Sequence, residues 1–478
     1  MRSVRIGMIF VSLLCGVLPL VSCERSPGEA TESAAAGAPS QGPFDPSLHT
    51  KALAYDHWIR TWHTTGLGGV TDIIFTDASR KQIARTYGAG DSTDWTAFYL
   101  VTQCLRSAIT GDEVASSEVE RIARYLHLVH AVTQHPGYLA RYVGYDRPPW
   151  NVETLEAENR HQGTGEFEGL FWLGRQSRDK FMHWFWAMAW AYDTVKDEAL
   201  RETIRADMDR VGRTLRAQGW RIVDPWGKVW PAADLLPDIR LEIMLATAHV
   251  TGDPFWQQEF DAEFERAIDI LPVTMWHGLN RYYDYFVFIN DVPVSNTLFR
   301  LVPDRARLER FFDVWMKTTR RYTRGTHYAL MDALFYGACS RLGACDPQEV
   351  DSLREDVTHG LTVFPNPPNT QRHVDCQTLP LDPFSVWASE ILDKNPWLRQ
   401  LIDIRPQTAI PHTIEDRCWE SHLWEGSPYH VECPLPDDPT HAAPGDDYTS
   451  AYWFGVYYGL LPGNGPYAEK SGPARGGP

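Results

Sequence analysis

The stretch RDKFMHWFWAMAWAYDTVKDEALRETIRADMDRVGRTL, residues 178–215, sets two kinds of helix side by side. From Phe181 to Tyr192 the chain is apolar nearly all round, and a helix of that composition must be surrounded by protein. After Lys196 the pattern changes. Leu200, Ile204, Met208, Val211 and Leu215 step by three or four with acids and arginines between them, so that helix has one wet face.

Both classes recur along the chain. Val119, Ile122, Leu126 and Val129 are amphipathic, as are Phe260, Phe264, Ile268 and Leu271, and Leu308, Phe311, Trp315 and Tyr322. Trp95 to Leu105, Leu235 to Ala248, Tyr328 to Cys339 and Tyr448 to Leu461 are apolar all round. The two classes alternate: outer 47–63, inner 93–109, outer 116–132, inner 179–195, outer 197–217, inner 235–251, outer 255–271, a short inner helix 295–302, outer 304–322, inner 327–342, outer 347–358 and inner 447–461. Alternating antiparallel helices that close into two concentric rings make an all-α (α/α)6 toroid. Helical solenoids have repeats of near-constant length, and these units do not.

Links from inner to outer helices are short. Links from outer to inner are mostly long: 64–92, 133–178, 218–234, 272–294 and 359–446, with only 323–326 brief. Connections beyond about 15 residues are uncommon in compact domains and are often functional. Alternation places every long link, and the N-terminus of every inner helix, at one rim.

Polar residues gather there. Asp91 and Asp94 lie in GDSTDW, Arg178, Asp179 and His183 in SRDKFMHW, and Asp446 and Asp447 in DDYTSAYW. Asp234 and Asp238 precede the third inner helix, Asn290, Asp291 and Asn296 the fourth, and His327 opens the fifth. Asp is a favoured N-cap, and negative charge suits a helix start, so each acid alone reads as a cap, Asp91 above all. Together in one concave mouth, burial and like-charge repulsion can raise one carboxyl pKa and leave another low. Asp179 and His183 share a helix face at i, i+4. The expected catalytic set is Asp94 and Asp179, with His183 orienting Asp179. Trp95, Arg178, Trp184, Tyr283, His327, Asp447 and Tyr448 are the expected substrate contacts. Aromatic faces stack on sugar rings, although most of the 19 Trp are filler for the inner wall.

The N-terminus carries an address. Arg2 and Arg5 precede the apolar stretch Ile6 to Leu20, which is short for a membrane span. Leu20-Val21-Ser22-Cys23 resembles the lipobox of bacterial lipoproteins. That resemblance implies a signal peptide over 1–22, lipidation at Cys23, a bacterial cell-envelope address and, with Glu24 following, sorting to the outer membrane, facing the periplasm or the surface. Residues 23–45 read as lipidated Cys and flexible linker, 46–462 as the toroid, and 463–478 as a disordered tail. The net charge of −17 repels polyphosphate and argues against nucleic acid. It also disfavours polyanionic glycans, unless a local basic cluster overrides it.

Eight cysteines are present. With Cys15 in the signal and Cys23 as lipid site, Cys104, Cys339, Cys345, Cys376, Cys418 and Cys433 remain, an even count suited to an oxidising compartment. Cys339–Cys345 and Cys418–Cys433 are the locally plausible pairs. No spacing makes a zinc or calcium pattern, so no metal or cofactor is expected.

At the level of helix alternation, residues 46–462 resemble the six-hairpin glycosidases and the helical-toroid polysaccharide lyases. The resemblance is architectural and rests on no family motif. It implies a carbohydrate-active enzyme, foremost a glycoside hydrolase using paired rim carboxylates. The rival within that class is a lyase, in which Tyr283 or His161 takes a proton beside a uronate carboxylate neutralised by Arg160 or Arg178. The alternative outside it is a non-catalytic lipoprotein binding glycan or protein.

Overall fold

A computed structural model describes residues 45–463 except 152–158, 232, 276–277, 279–281, 283–284, 375–378, 401, 420–421 and 432–435. The signal, Cys23, most of the linker and tail, Tyr283, Cys376 and Cys433 lie outside the described residues.

The outer helices are α1 (Pro46–Trp58), α3 (Glu113–Ala131), α5 (Glu198–Ala217), α7 (Pro254–Ala267), α9 (Arg305–Lys317) and α11 (Pro347–Val363). The inner helices are α2 (Ser92–Thr110), α4 (Arg178–Thr194), α6 (Pro237–Thr251), α8 (Phe286–Leu301), α10 (Ala329–Leu342) and α13 (Asp446–Tyr458). Each inner helix packs on the next, and α13 returns to α2, so the inner ring is closed. The outer helices lie against it: α3 on α2 and α4, α5 on α4 and α6, α7 on α6, α9 on α8 and α10, α11 on α10, and α1 on α13. The chain is an all-α (α/α)6 toroid.

Burial follows the two sequence patterns. Every residue of α4 from Lys180 to Ala191 is buried, whereas α5 buries only the stripe Leu200, Ile204, Asp207, Met208, Val211, Gly212 and Leu215. Aromatic rings fill the ring interior: Trp186 stacks on Phe454, centroids 6.4 Å apart.

Two of the short links share one device. Gly111 and Gly252 end α2 and α6 at φ 66° and 65°, a left-handed turn that costs a glycine little. The next residues, Asp112 and Asp253, cap α3 and α7 by accepting backbone N–H bonds. Every outer helix starts this way, with Asp45, Asp112, Asp197, Asp253, Asp304 and Asp346. No inner helix has a side-chain cap.

The long links carry structure that helical periodicity did not foretell. β1 (Asp72–Phe75), β2 (Ile83–Tyr87), β6 (Asn369–Gln371) and β7 (Asp438–Ala443) form one antiparallel sheet in the order β2-β1-β7-β6. β3 (Tyr142–Tyr145), β4 (Arg160–Gln162) and β5 (Leu170–Leu173) form another, in the order β3-β5-β4. An extra helix, α12 (Pro383–Lys394), stands in the last long link. The fourth inner helix is also longer than its expected span of 295–302. It runs from Phe286 to Leu301 and contains Pro293, whose missing N–H donor does not end it here. Asn296 therefore sits deep between the helices, accepting from the indoles of Trp186 (2.8 Å) and Trp190 (2.9 Å).

Cys339 and Cys345 form a disulfide across the α10–α11 link. Cys418 is also disulfide-bonded, while Cys433 is not among the described residues. Cys104 is a free, fully buried thiol on α2, pushed up to about 12 by burial.

Candidate functional site at the ring mouth

Because the inner helices lack side-chain caps, the acids at their starts are available for other partners. Asp91 occupies the N-cap position of α2, yet its carboxylate caps nothing. It turns to Lys180 of α4. The Lys180 ammonium is fully buried and lies 2.7 Å from Asp91 Oδ1 and 2.6 Å from Asp179 Oδ2, and it also donates to Asp94 Oδ2. Oxygens of these three carboxylates lie within 4.8 Å of one another. Such a set can hold a metal cation, but here the ammonium supplies the positive charge.

The three acids ionise differently. Burial pushes Asp179 up, but Lys180, its hydrogen bond and Ser177 outweigh burial and hold it well below the usual carboxylate range. Asp91 is also raised by burial and brought below its ordinary value by Lys180 and Arg141, whose guanidinium is 3.3 Å away. Asp94 is fully buried, and desolvation raises it well above its ordinary value despite Lys180. Burial lowers Lys180, but the three carboxylates reverse that and raise it. Two cations thus face three carboxyls, and the least solvated of the three is the one whose pKa is raised.

His183 stands one turn into α4. Its Nδ1 donates to the Asp179 carbonyl (2.8 Å) and lies 3.4 Å from Asp94 Oδ1. Burial lowers it to about 4, so the ring is neutral at pH 7 and Nε2 carries the lone pair. Nε2 has no hydrogen-bond partner among the described residues, nor has either nitrogen of His422. His422 comes from the last long link, stacks on Trp95 at 4.9 Å and lies 5.8 Å from Phe98. Phe98 also meets His183, at 5.4 Å. The segment holding His422 lies over the inner-helix starts: Leu423 N–H donates to Asp447 Oδ2 (2.9 Å), and the Trp424 indole donates to the Asp447 carbonyl (3.0 Å) and stacks on Tyr328.

A second acid group adjoins the first. Asp72 of β1 lies 3.8 Å from His441 Nε2 of β7, and burial raises Asp72, opposed by His441. Burial raises Asp446 well above its ordinary value, with Asp447 adding to the shift, and lifts Asp447 to about 7.

The expected site residues divide. Asp94, Asp179 and His183 do come together, but Asp94 and Asp179 grip one ammonium, which leaves no room between them for a sugar or a water. Asp91, with its side chain 43 % exposed, is the carboxylate of this set most open to solvent. Trp95 is buried beneath His422. Arg178 opens α4, half-buried, and Asp447 anchors the covering segment. Trp184 turns away, donating its indole N–H to the Leu126 carbonyl of α3 (2.9 Å). Tyr448 donates to the Leu48 carbonyl of α1 (3.0 Å) and stacks on Tyr55. His327 pairs with Asp356 of α11 (2.5 Å). Lys180, Asp72, His441 and His422 were not foreseen. Lys180 left a signal, since a cation inside an all-apolar helix must find carboxylates. The others sit in the long links, Asp72 and His441 on short strands and His422 in a loop, where no helical periodicity marks them.

No known protein-family profile matches this chain, and neither does any curated protein sequence. Among solved structures, the chain is similar to a Zn-binding triple mutant of a GH family 9 endoglucanase, at 11% sequence identity and a TM-score of 0.43, over 88% of this chain and 86% of that one. The toroid assignment rests on the closed order of helix neighbours.

Proposed function

We propose that the chain is a carbohydrate-active enzyme, a glycoside hydrolase working at the ring mouth. The supporting observation is that carboxyls with lowered and with raised pKa values stand together at the starts of the inner helices. Asp91 and Asp179 are held as anions by Lys180, while Asp94, Asp446 and Asp447 hold protons beyond the usual carboxylate range. Hydrolysis of a glycosidic bond needs one carboxyl to protonate the leaving oxygen and a carboxylate to activate water or stabilise the sugar cation. Asp91 and Asp179 reach solvent and take the carboxylate role, while Asp446, whose pKa burial raises and whose Oδ2 has no hydrogen-bond partner among the described residues, supplies the proton to the leaving oxygen. Asp94 and Lys180 fix their ionisation from below, and His183 anchors the Asp179 turn. In this reading the enzyme is exported and tethered to the bacterial outer membrane through Cys23, with no cofactor and no nucleic acid.

The test is sugar release from a panel of soluble glycans by the full chain. New reducing ends without ultraviolet absorbance from a double bond are expected. Asp91→Asn and Asp179→Asn should each lower the rate by about 10²-fold or more, with the thermal midpoint followed separately. A new absorbance would select the lyase. Binding without release from any glycan, untouched by both variants, would select a non-catalytic lipoprotein.

A further inference from the structure

The link leading into α6 displays a side chain that core packing does not explain. Trp226 is 63 % exposed, the most exposed large apolar side chain among the described residues. Its loop is tightly held. Asp224, itself 4 % exposed, accepts from the backbone N–H of Trp226 (3.0 Å) and Lys228 (2.7 Å) and from the Trp230 indole (3.2 Å). A rigid loop presenting an indole to water is an arrangement used for recognition.

The indole is one part of a larger surface. Trp226 lies parallel to Trp172 of β5, with planes 6° apart and centroids 6.1 Å apart. His161 of β4 is 4.3 Å from Trp172 and 4.4 Å from Trp226. Lys228 Nζ stands 3.2 Å above the Trp230 ring, and the Arg175 guanidinium lies 5.4 Å from the same ring. Lys228 makes no ion pair among the described residues. The Arg175 carbonyl accepts from Arg141, which also donates to Asp91, so this surface borders the carboxylate cluster.

We infer that Trp226, His161, Trp230 and Lys228 form an outlying subsite for an acidic glycan, a chain of uronate sugars that leads toward Asp91. Flat aromatic faces suit the C–H faces of pyranose rings. An ammonium held over an indole is charge-complementary to a sugar carboxylate. In a chain of net charge −17, which otherwise repels polyanions, a local cation among aromatics confers that preference. The subsite rests on the carbohydrate reading above but makes a separate claim about which glycan is held.

Affinity electrophoresis of the full chain through gels containing polygalacturonate or, in parallel, hydroxyethylcellulose tests it. Polygalacturonate should retard the chain more strongly than the neutral polymer. Trp226→Ala should weaken retardation roughly tenfold, and Trp226→Tyr should restore most of it. Lys228→Gln should weaken retardation by polygalacturonate alone and reduce its salt sensitivity. Equal retardation by both polymers, or no response to Trp226→Ala and Lys228→Gln, overturns the subsite even if glycan hydrolysis is found. Retardation by polygalacturonate, with no sugar released from it or from any other glycan of the panel, upholds the subsite and removes the hydrolase.

Discussion

Lys180 is the residue on which the mouth depends. Removing one partner of a buried ion pair leaves an uncompensated charge and typically costs about 3–5 kcal/mol. Lys180→Met should therefore lower the thermal midpoint markedly, whereas Asp94→Asn, which keeps the shape of the carboxyl whose pKa burial raises, should be milder by the same measurement. The pH response follows from the directions of the shifts. Asp91 and Asp179 are lowered from the ordinary value of 3.8, so their stabilisation is present above that value and is lost as the pH falls through their folded values. His183 is lowered from 6.5 to about 4, so the unfolded chain binds the extra proton and stability declines as the pH falls below about 6.5. Asp72, Asp94, Asp446 and Asp447 act in the opposite sense, because the folded chain holds protons there that the unfolded chain has released, so the fall in urea midpoint between pH 7 and pH 3 should be steepest below the ordinary carboxylate value of 3.8. In Lys180→Met the lowest part of that fall should flatten.

At the scale of elements, outer and inner helices use aspartate differently. The six outer helices are capped by it, and Asp346→Ala, which removes the bond to Gln348 N–H (2.9 Å), should cost about 1 kcal/mol in chemical denaturation while leaving glycan turnover unchanged. The inner helices leave their aspartates to interact across the mouth. Sequence alone could not separate the two uses, because GDSTDW and the Gly-Asp-Pro of residues 252–254 both read as helix starts. What separates them is a partner from another helix, Lys180. Helix class was legible because an all-apolar stretch such as Phe181 to Tyr192 has no other home than the inner ring. The strands β1 to β7 were not, because three to six residues paired across long links carry too little periodicity. Trp184 and Tyr448 went the other way from their expected direction because both flanks of an inner helix are apolar, and sequence spacing alone did not say which flank faces the mouth.

At the scale of the molecule, one-sided elaboration follows from the alternation itself. Short links that end in a capping Asp close one end, every described strand and the extra helix fall in the long links at the other, and both acid groups stand there at the inner-helix starts. No described helix is long and apolar enough to cross a membrane, so attachment to a membrane through Cys23 is a separate proposal. Cys23→Ser should move the protein from the membrane pellet to the soluble envelope fraction. Its persistence in the pellet would end the lipid-anchor reading.

Cys104, walled in on α2, gives the ring a clock of its own. A reagent that colours on meeting a thiol can reach it only when neighbouring helices part. The slow phase of that reaction in native buffer, set against the rate in denaturant, would time how often the circle breaches without any added label.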